Sequence, residues 1–165
     1  MSGLDARSPS RLVVAAAVLD RLETPTALLC AARSYPPEHA GRFELPGGKV
    51  EPAERPRQAL VRELDEEIGL RVRLGPELVP SSDLAAPAPP GGPPGDDAPA
   101  WPVMRGFRMR VWLAEPVLAG DRGRVGADHQ RLEWVSLDPP DRLRRLPWLS
   151  ADLPIVDELM ATMGR

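Results

Sequence analysis

The residues with the greatest chemical capacity lie in one short segment, "LPGGKVEPAERPRQALVRELDEEIGL", residues 45–70. It crowds Glu63, Glu66 and Glu67 into little more than one helical turn, where like charges repel. Arg62 and Arg71 are the nearby cations, too few to neutralise the cluster. A hard divalent cation would do so: Mg²⁺ prefers oxygen donors, keeps several waters and commonly shares its shell with substrate phosphates. The segment holds no cysteine or histidine, which suits Mg²⁺ or Mn²⁺ better than zinc. Gly47 and Gly48, just upstream, let backbone approach a ligand where a side chain would obstruct it. The plainer alternative is a solvated helix face rich in Glu and Arg, and a longer pattern is needed to choose.

The elements that must carry these residues follow from periodicity. At roughly 100° per residue, Leu60, Val61, Leu64 and Ile68 form an apolar arc beside the one carrying Glu63, Glu66 and Glu67. The spacing predicts a helix from about Ala53 to Ile68, with Gly69 placed to stop it. A second helix is expected after Ser150 or Asp152, through "PIVDELMATM". Strand-like runs occupy Leu12–Leu19, Thr26–Ala32, Arg71–Val79, Val103–Val117 and Leu132–Leu137. Strands with a helix between them indicate an α/β or α+β sandwich. Residues 81–102, "SSDLAAPAPPGGPPGDDAPAWP", offer little to bury and suggest a long disordered loop joining two strands, or a polyproline II segment that binds a partner.

At 165 residues and 42% hydrophobic, the chain is expected to form one domain around one core. Its net charge of −3 and lack of a basic block argue against nucleic-acid polymers and membrane surfaces, while leaving small phosphorylated ligands. Cys30 is the only cysteine and sits in the apolar run "TALLCAAR", so it is expected to be buried, in a reducing, cytoplasmic setting. "RLVVAAAVLD" is too short to span a bilayer and is taken as a core strand.

The longer pattern decides between the two readings of the acidic segment. Gly48, five residues, Glu54, seven residues, then Arg62-Glu63-Leu64, Asp65, Glu66-Glu67, Ile68, Gly69 and Leu70 satisfy every fixed position of the Nudix box. The chain therefore resembles the Nudix hydrolase family, and within it the MutT-like nucleoside triphosphate pyrophosphohydrolases. Upstream, "AARSYPPEHAGRFELPGGK" is similar to the MutT-like approach to the box. Downstream, "ADHQRLEWVSL" is similar to the segment supplying a further acid six residues before a tryptophan, here Asp128 before Trp134. "WLSADLPIVDEL" resembles the C-terminal pocket segment.

The resemblance implies an α/β/α sandwich with a mixed sheet and a loop–helix–loop box. It implies that Glu63, Glu66 and Glu67 hold Mg²⁺, with the Gly47 carbonyl and Asp128 as further ligands, and that Arg62 orients the glutamates. Glu63 or Asp128 would be the general base. Arg33 would contact phosphate, Glu44 and Leu45 would line the pocket, and Asp152 would contact the base. Lys49 could hold phosphate oxygens or be a solvated turn residue. Two metal-assisted needs explain the crowded acids: a triphosphate's charge must be offset, and a water must be activated.

Base preference stays open. An ionised aspartate at 152 only accepts hydrogen bonds, which suits the cytosine N4 amine and CTP or dCTP. It could also accept from the N1–H and N2 amine of a guanine, or work while protonated, which keeps 8-oxo-dGTP in view. Asp152 is equally suited to cap the last helix. Phe43, Trp112 and Trp148 could stack on a base or fill the core, and His39 and His129 are expected to cap or solvate loops. Other outcomes are a Nudix hydrolase of ADP-ribose or another diphosphate-linked nucleotide, and a non-catalytic nucleotide-binding module, although the latter would be expected to lose box glutamates. The oligomer could be a monomer or a homodimer.

Overall fold

The first strand, β1 (Leu12–Val18, LVVAAAV), is apolar throughout and almost wholly buried, the pattern of a strand covered on both faces. Its alternate residues serve two cores. Ala15 and Ala17 pack with Ile155, Val156, Leu159 and Met160, whereas Val14, Ala16 and Val18 pack with Leu60, Leu64 and Ile68. The helices that contribute these residues therefore lie on opposite faces of β1, the α/β/α layering expected. The computed structural model describes residues 12–88 and 97–165.

Strand β2 (Ala27–Arg33) follows, then two short strands, β3 (Phe43–Glu44) and β4 (Gly47–Lys49), and helix α1 (Pro56–Ile68). Beyond α1 come β5 (Val72–Leu78), β6 (Trp101–Pro102), β7 (Arg108–Pro116), β8 (His129–Ser136), a short helix α2 (Asp141–Arg144) and α3 (Leu153–Thr162). One sheet has the order β4-β1-β7-β5, with β6 also on β7; the other has the order β3-β2-β8. The β1–β7 pair is parallel and the rest are antiparallel, so the larger sheet is mixed. Cys30 is buried within β2.

Several boundaries differ from expectation, with β8 beginning at His129 rather than Leu132. Helix α1 begins at Pro56 rather than Ala53, because proline suits a first helical position and disfavours helical backbone just before it; Ala53 itself has φ 63°. The strand expected over Val103–Val117 is interrupted at Met104–Gly106, where Arg105 and Gly106 take φ of 62° and 73°, values no strand passes through. Residues 89–96 of the loop expected at 81–102 lie outside the described residues. Its described ends converge in an isolated Ala86–Ala100 bridge, and Trp101–Pro102 pair with β7, so those two residues belong to the sheet and not to a loop. Among the described residues no helix is long and apolar enough to cross a membrane.

Candidate active site

Helix α1 turns Ala59, Leu60, Leu64 and Ile68 into the core, which fixes where its polar residues point. Glu63 and Glu67, one turn apart, face a cleft of about 1070 Å³ also lined by Arg33, Glu44, Leu45, Gly47, Gly48, Lys49, Asp128 and Asp152. Glu66 does not line it: its side chain is 61% exposed and bonded to Arg62. Arg62 is held from several sides. It donates to both carboxylate oxygens of Glu54 at 2.7 and 2.9 Å, to Glu63 at 3.0 Å, to Glu66 at 3.1 Å and to the Lys49 carbonyl at 3.3 Å. Glu54 is held below the usual carboxylate range by that fork, and the Arg62 guanidinium is raised, Glu54 first among its causes.

Strand β4 passes directly over Glu63. A side chain at position 48 would begin 2.3 Å from the Glu63 carboxyl carbon, so only glycine admits the carboxylate there. Burial raises the Glu63 carboxyl, against the opposing bond from Arg62. Glu67 is pushed further, to about 8, by burial first and then by the charges of Glu63, Asp128 and Glu44.

Asp128 arrives from the loop before β8, and Tyr35 donates to its Oδ1 at 2.9 Å. That bond raises the Tyr35 hydroxyl. Arg33 stands beside Tyr35: its Nε donates to the Tyr35 carbonyl at 2.9 Å, its guanidinium lies 5.2 Å from the Tyr35 ring centre, and Nη1 donates to both Glu44 oxygens at 3.0 and 3.1 Å. The His129 Nε2 is 3.0 Å from Glu44. Glu44 is thus a bracket for Arg33. Lys49 sits 5.6 Å over the Phe107 ring.

Asp152 occupies the N-cap position of α3 without capping it through its side chain. Its Oδ1 instead accepts the Leu45 N–H at 3.1 Å. Full burial pushes the carboxyl up to about 7, partly opposed by that bond.

Several expectations need correction. His129 is buried and joined to Glu44, so it neither caps nor solvates a loop; it opens β8 directly opposite Arg33, a register its sequence position does not disclose. For Phe43, Trp112 and Trp148 the core alternative holds, each being under 5% exposed, and the aromatic rings lining the cleft are Tyr35 and Phe107. The one signal for Tyr35 was its place two residues after Arg33. His39 does line the cleft, with Arg42 and Arg105.

Among the described residues no three acidic, histidine or cysteine side chains form a ready-made metal cage. The donor set nonetheless fits a hard cation. Glu63, Glu67 and Asp128 are oxygen donors, and the repulsion among their charges, which helps push the Glu67 carboxyl up, is what a divalent ion among them would relieve. Mg²⁺ in particular completes its shell with water and substrate oxygens.

The family model described as "NUDIX domain" matches residues 9–157. The chain belongs to the NUDIX family. It is 36% identical over 157 residues to a Mycobacterium tuberculosis protein provisionally named 8-oxo-dGTP diphosphatase 2, covering 94% of this chain and 92% of that one. It is 32% identical over 149 residues to the CTP pyrophosphohydrolase of Escherichia coli K12, covering 90% of each. Among solved structures, the E. coli ORF135 protein superposes with a TM-score of 0.63 at 29% identity, covering 93% of this chain and 90% of that one. A MutT protein from Methanosarcina mazei Go1 superposes at 0.64 with 18% identity, covering 96% and 99%, a likeness of fold. The protein is accordingly a MutT-like Nudix hydrolase. The family implies a nucleotide substrate and the use of a divalent metal.

Proposed function

We propose that this Nudix hydrolase is a Mg²⁺-dependent nucleoside triphosphate pyrophosphohydrolase that converts a (d)NTP and water to (d)NMP and pyrophosphate, with 8-oxo-dGTP as the leading substrate. The carrying observation is one cleft that joins the Glu63, Glu67 and Asp128 carboxylates to a buried, protonatable Asp152. Bound Mg²⁺, or Mn²⁺ in its place, would offset phosphate charge and acidify a water. Glu63, Glu67, Asp128 and the Gly47 carbonyl would hold it, and Glu66 would join if it turned inward from Arg62.

Arg62 orients Glu63 through the 3.0 Å bond. Glu63 or Asp128 takes the proton of the attacking water, as a general base within hydrogen-bond reach can. Arg33, steadied by Glu44 and His129, meets phosphate oxygens, and Lys49 adds a second positive charge from the β4 side. The Leu45 N–H occupies Asp152 Oδ1, which leaves Oδ2 for the base. With its carboxyl pushed up to about 7, Asp152 is poised near neutrality between a group that only accepts and one that both donates and accepts. The acid form matches a base edge carrying one donor and one acceptor, as 8-oxoguanine does.

A second reading is supported by the ionised form. An acceptor-only Asp152 suits the cytosine N4 amine, and the relative at 32% identity is named for CTP. The deciding experiment is pyrophosphate release with Mg²⁺ across CTP, dCTP, 5-methyl-dCTP, dGTP, 8-oxo-dGTP, ADP-ribose and diadenosine tetraphosphate. Preference for 8-oxo-dGTP is expected. Preference for cytosine nucleotides would replace it with the second reading, and cleavage confined to the last two compounds would overturn the triphosphate assignment.

A further inference from the structure

The loop that delivers Asp128 is clamped between two elements, and one side of the clamp is unusually close. The Arg124 N–H donates to the Ile68 carbonyl at 2.7 Å, binding the loop to the last turn of α1. Two residues on, Gly126 lies so near that helix that an added Cβ would stand 2.1 Å from the Glu67 carbonyl oxygen. On the opposite side, Ser34 Oγ donates to the Ala127 carbonyl and the Ser34 N–H to the Asp128 carbonyl, each at 3.1 Å. The loop is therefore seated on the backbone of the residue whose side chain faces Asp128.

From this geometry we infer that Gly126 is a positioning residue: its missing side chain lets the loop rest on the Glu67 carbonyl and so sets the spacing between the Glu67 and Asp128 carboxylates. The inference rests on the assignment of those two carboxylates to the reaction. Gly126 has no positive φ among those recorded for the glycines, so alanine there meets no backbone strain, only the collision with Glu67. Backbone cannot swing aside as a flexible side chain can. The loop must lift instead, and Asp128, two residues away, must move with it. A misplacement of about 1 Å at a reacting site can cost on the order of 100-fold in rate.

Gly120 supplies the control. It lies in the same connection between β7 and β8 with φ 83° and nothing within 4 Å of an added Cβ, so alanine there strains the loop without lifting it from α1. The experiment compares Gly126→Ala with Gly120→Ala in the full chain, reading steady-state kinetics on the preferred nucleotide and amide hydrogen exchange at Arg124. For Gly126→Ala, kcat should fall about 10- to 100-fold with KM within about threefold, and Arg124 exchange should quicken about tenfold while the amides inside α1 stay protected. Gly120→Ala should stay within about twofold of the parent in kcat.

A folded Gly126→Ala protein with parental kcat overturns the inference, as does an equal loss in the two variants. Should Gly126→Ala fail to fold, Ser34→Ala decides: lower kcat at constant KM supports the clamp, and parental kcat removes it. If the parent cleaves no nucleotide, the assigned function fails, yet unchanged Arg124 exchange in Gly126→Ala would still refute the seating by itself.

Discussion

Two carboxyls in the cleft, Glu67 and Asp152, are both displaced upward, and they are displaced for different reasons. At Glu67, burial is reinforced by three neighbouring acids, Glu63, Asp128 and Glu44. At Asp152, burial acts with one neighbouring acid, Glu44, and is opposed by the Leu45 N–H and Arg33. A carboxyl crowded by other acids calls for a cation shared among them, whereas one raised chiefly by burial is eased by a proton or a hydrogen-bond donor. The first is a place for charge and the second a place for recognition. Exchanging each acid for its amide should therefore have unlike consequences.

The largest effect is expected on turnover. Glu67→Gln and Glu63→Gln keep shape and remove charge, and each should lower Mg²⁺-dependent kcat by about 10²- to 10⁴-fold. Asp152→Asn should leave kcat on its best substrate within about tenfold of the parent, since its proposed contact is with the base and not with the reacting phosphorus. Equal losses at all three positions would erase the proposed division of the cleft.

Next comes selectivity. Asparagine at 152 permanently offers both a donor and an acceptor, so Asp152→Asn should raise the ratio of kcat/KM for 8-oxo-dGTP over dCTP by about 10- to 200-fold. An unchanged ranking would take Asp152 out of base reading and return it to its bond with Leu45.

Smaller again is the effect of metal on the fold without substrate. Mg²⁺ at about 100 times its dissociation constant would stabilise the protein by about 2.7 kcal/mol, measurable as a rise in Tm. That rise should vanish in Glu67→Gln and persist in Asp152→Asn. Its persistence in both would move the ion away from the α1 side of the cleft.

The parts of this arrangement that the sequence discloses are those in which local pattern and tertiary role coincide. In α1 the apolar period that marks a helix also buries Leu60, Leu64 and Ile68, so its existence and its inner face are legible. The continuous apolar run of β1 is legible for the same reason. Strands β3 and β4 are not, because their few residues are held by distant chain: the Phe43 N–H donates to the Pro147 carbonyl, and Gly47 is paired opposite Ala15. Within the cleft, the box glutamates are legible as a cluster, but the separation of Glu66 from its neighbours depends on how the Arg62 fork is filled by Glu54. His129 and Tyr35 are hidden because their roles arise from cross-strand register and from a loop that returns 93 residues later. For Trp112 and Trp148 the sequence leaves stacking and core filling both open, and packing decides for the core, leaving Phe107 at the cleft.

The last predicted effect concerns pH, and its sign separates Asp152 from an ordinary salt-bridged acid. In the folded protein its carboxyl is pushed from 3.8 up to about 7. Between roughly pH 4 and pH 7 the unfolded chain has lost this proton while the folded chain retains it, so the folded state binds more protons and stability falls as pH rises. The contribution is full below about pH 4 and is lost as pH approaches 7, the reverse of the acid lability conferred by a paired carboxylate such as Glu54. Asp152→Asn has no proton to release and should make that slope shallower in urea unfolding followed from pH 4.5 to 7.5, leaving the share that Glu67 carries. An equally steep decline in the variant would mean that another buried acid carries it. Glu67 is the nearest alternative, and repeating the titration in saturating Mg²⁺ distinguishes the two: a cation should reduce a slope due to Glu67 and leave one due to Asp152 in place.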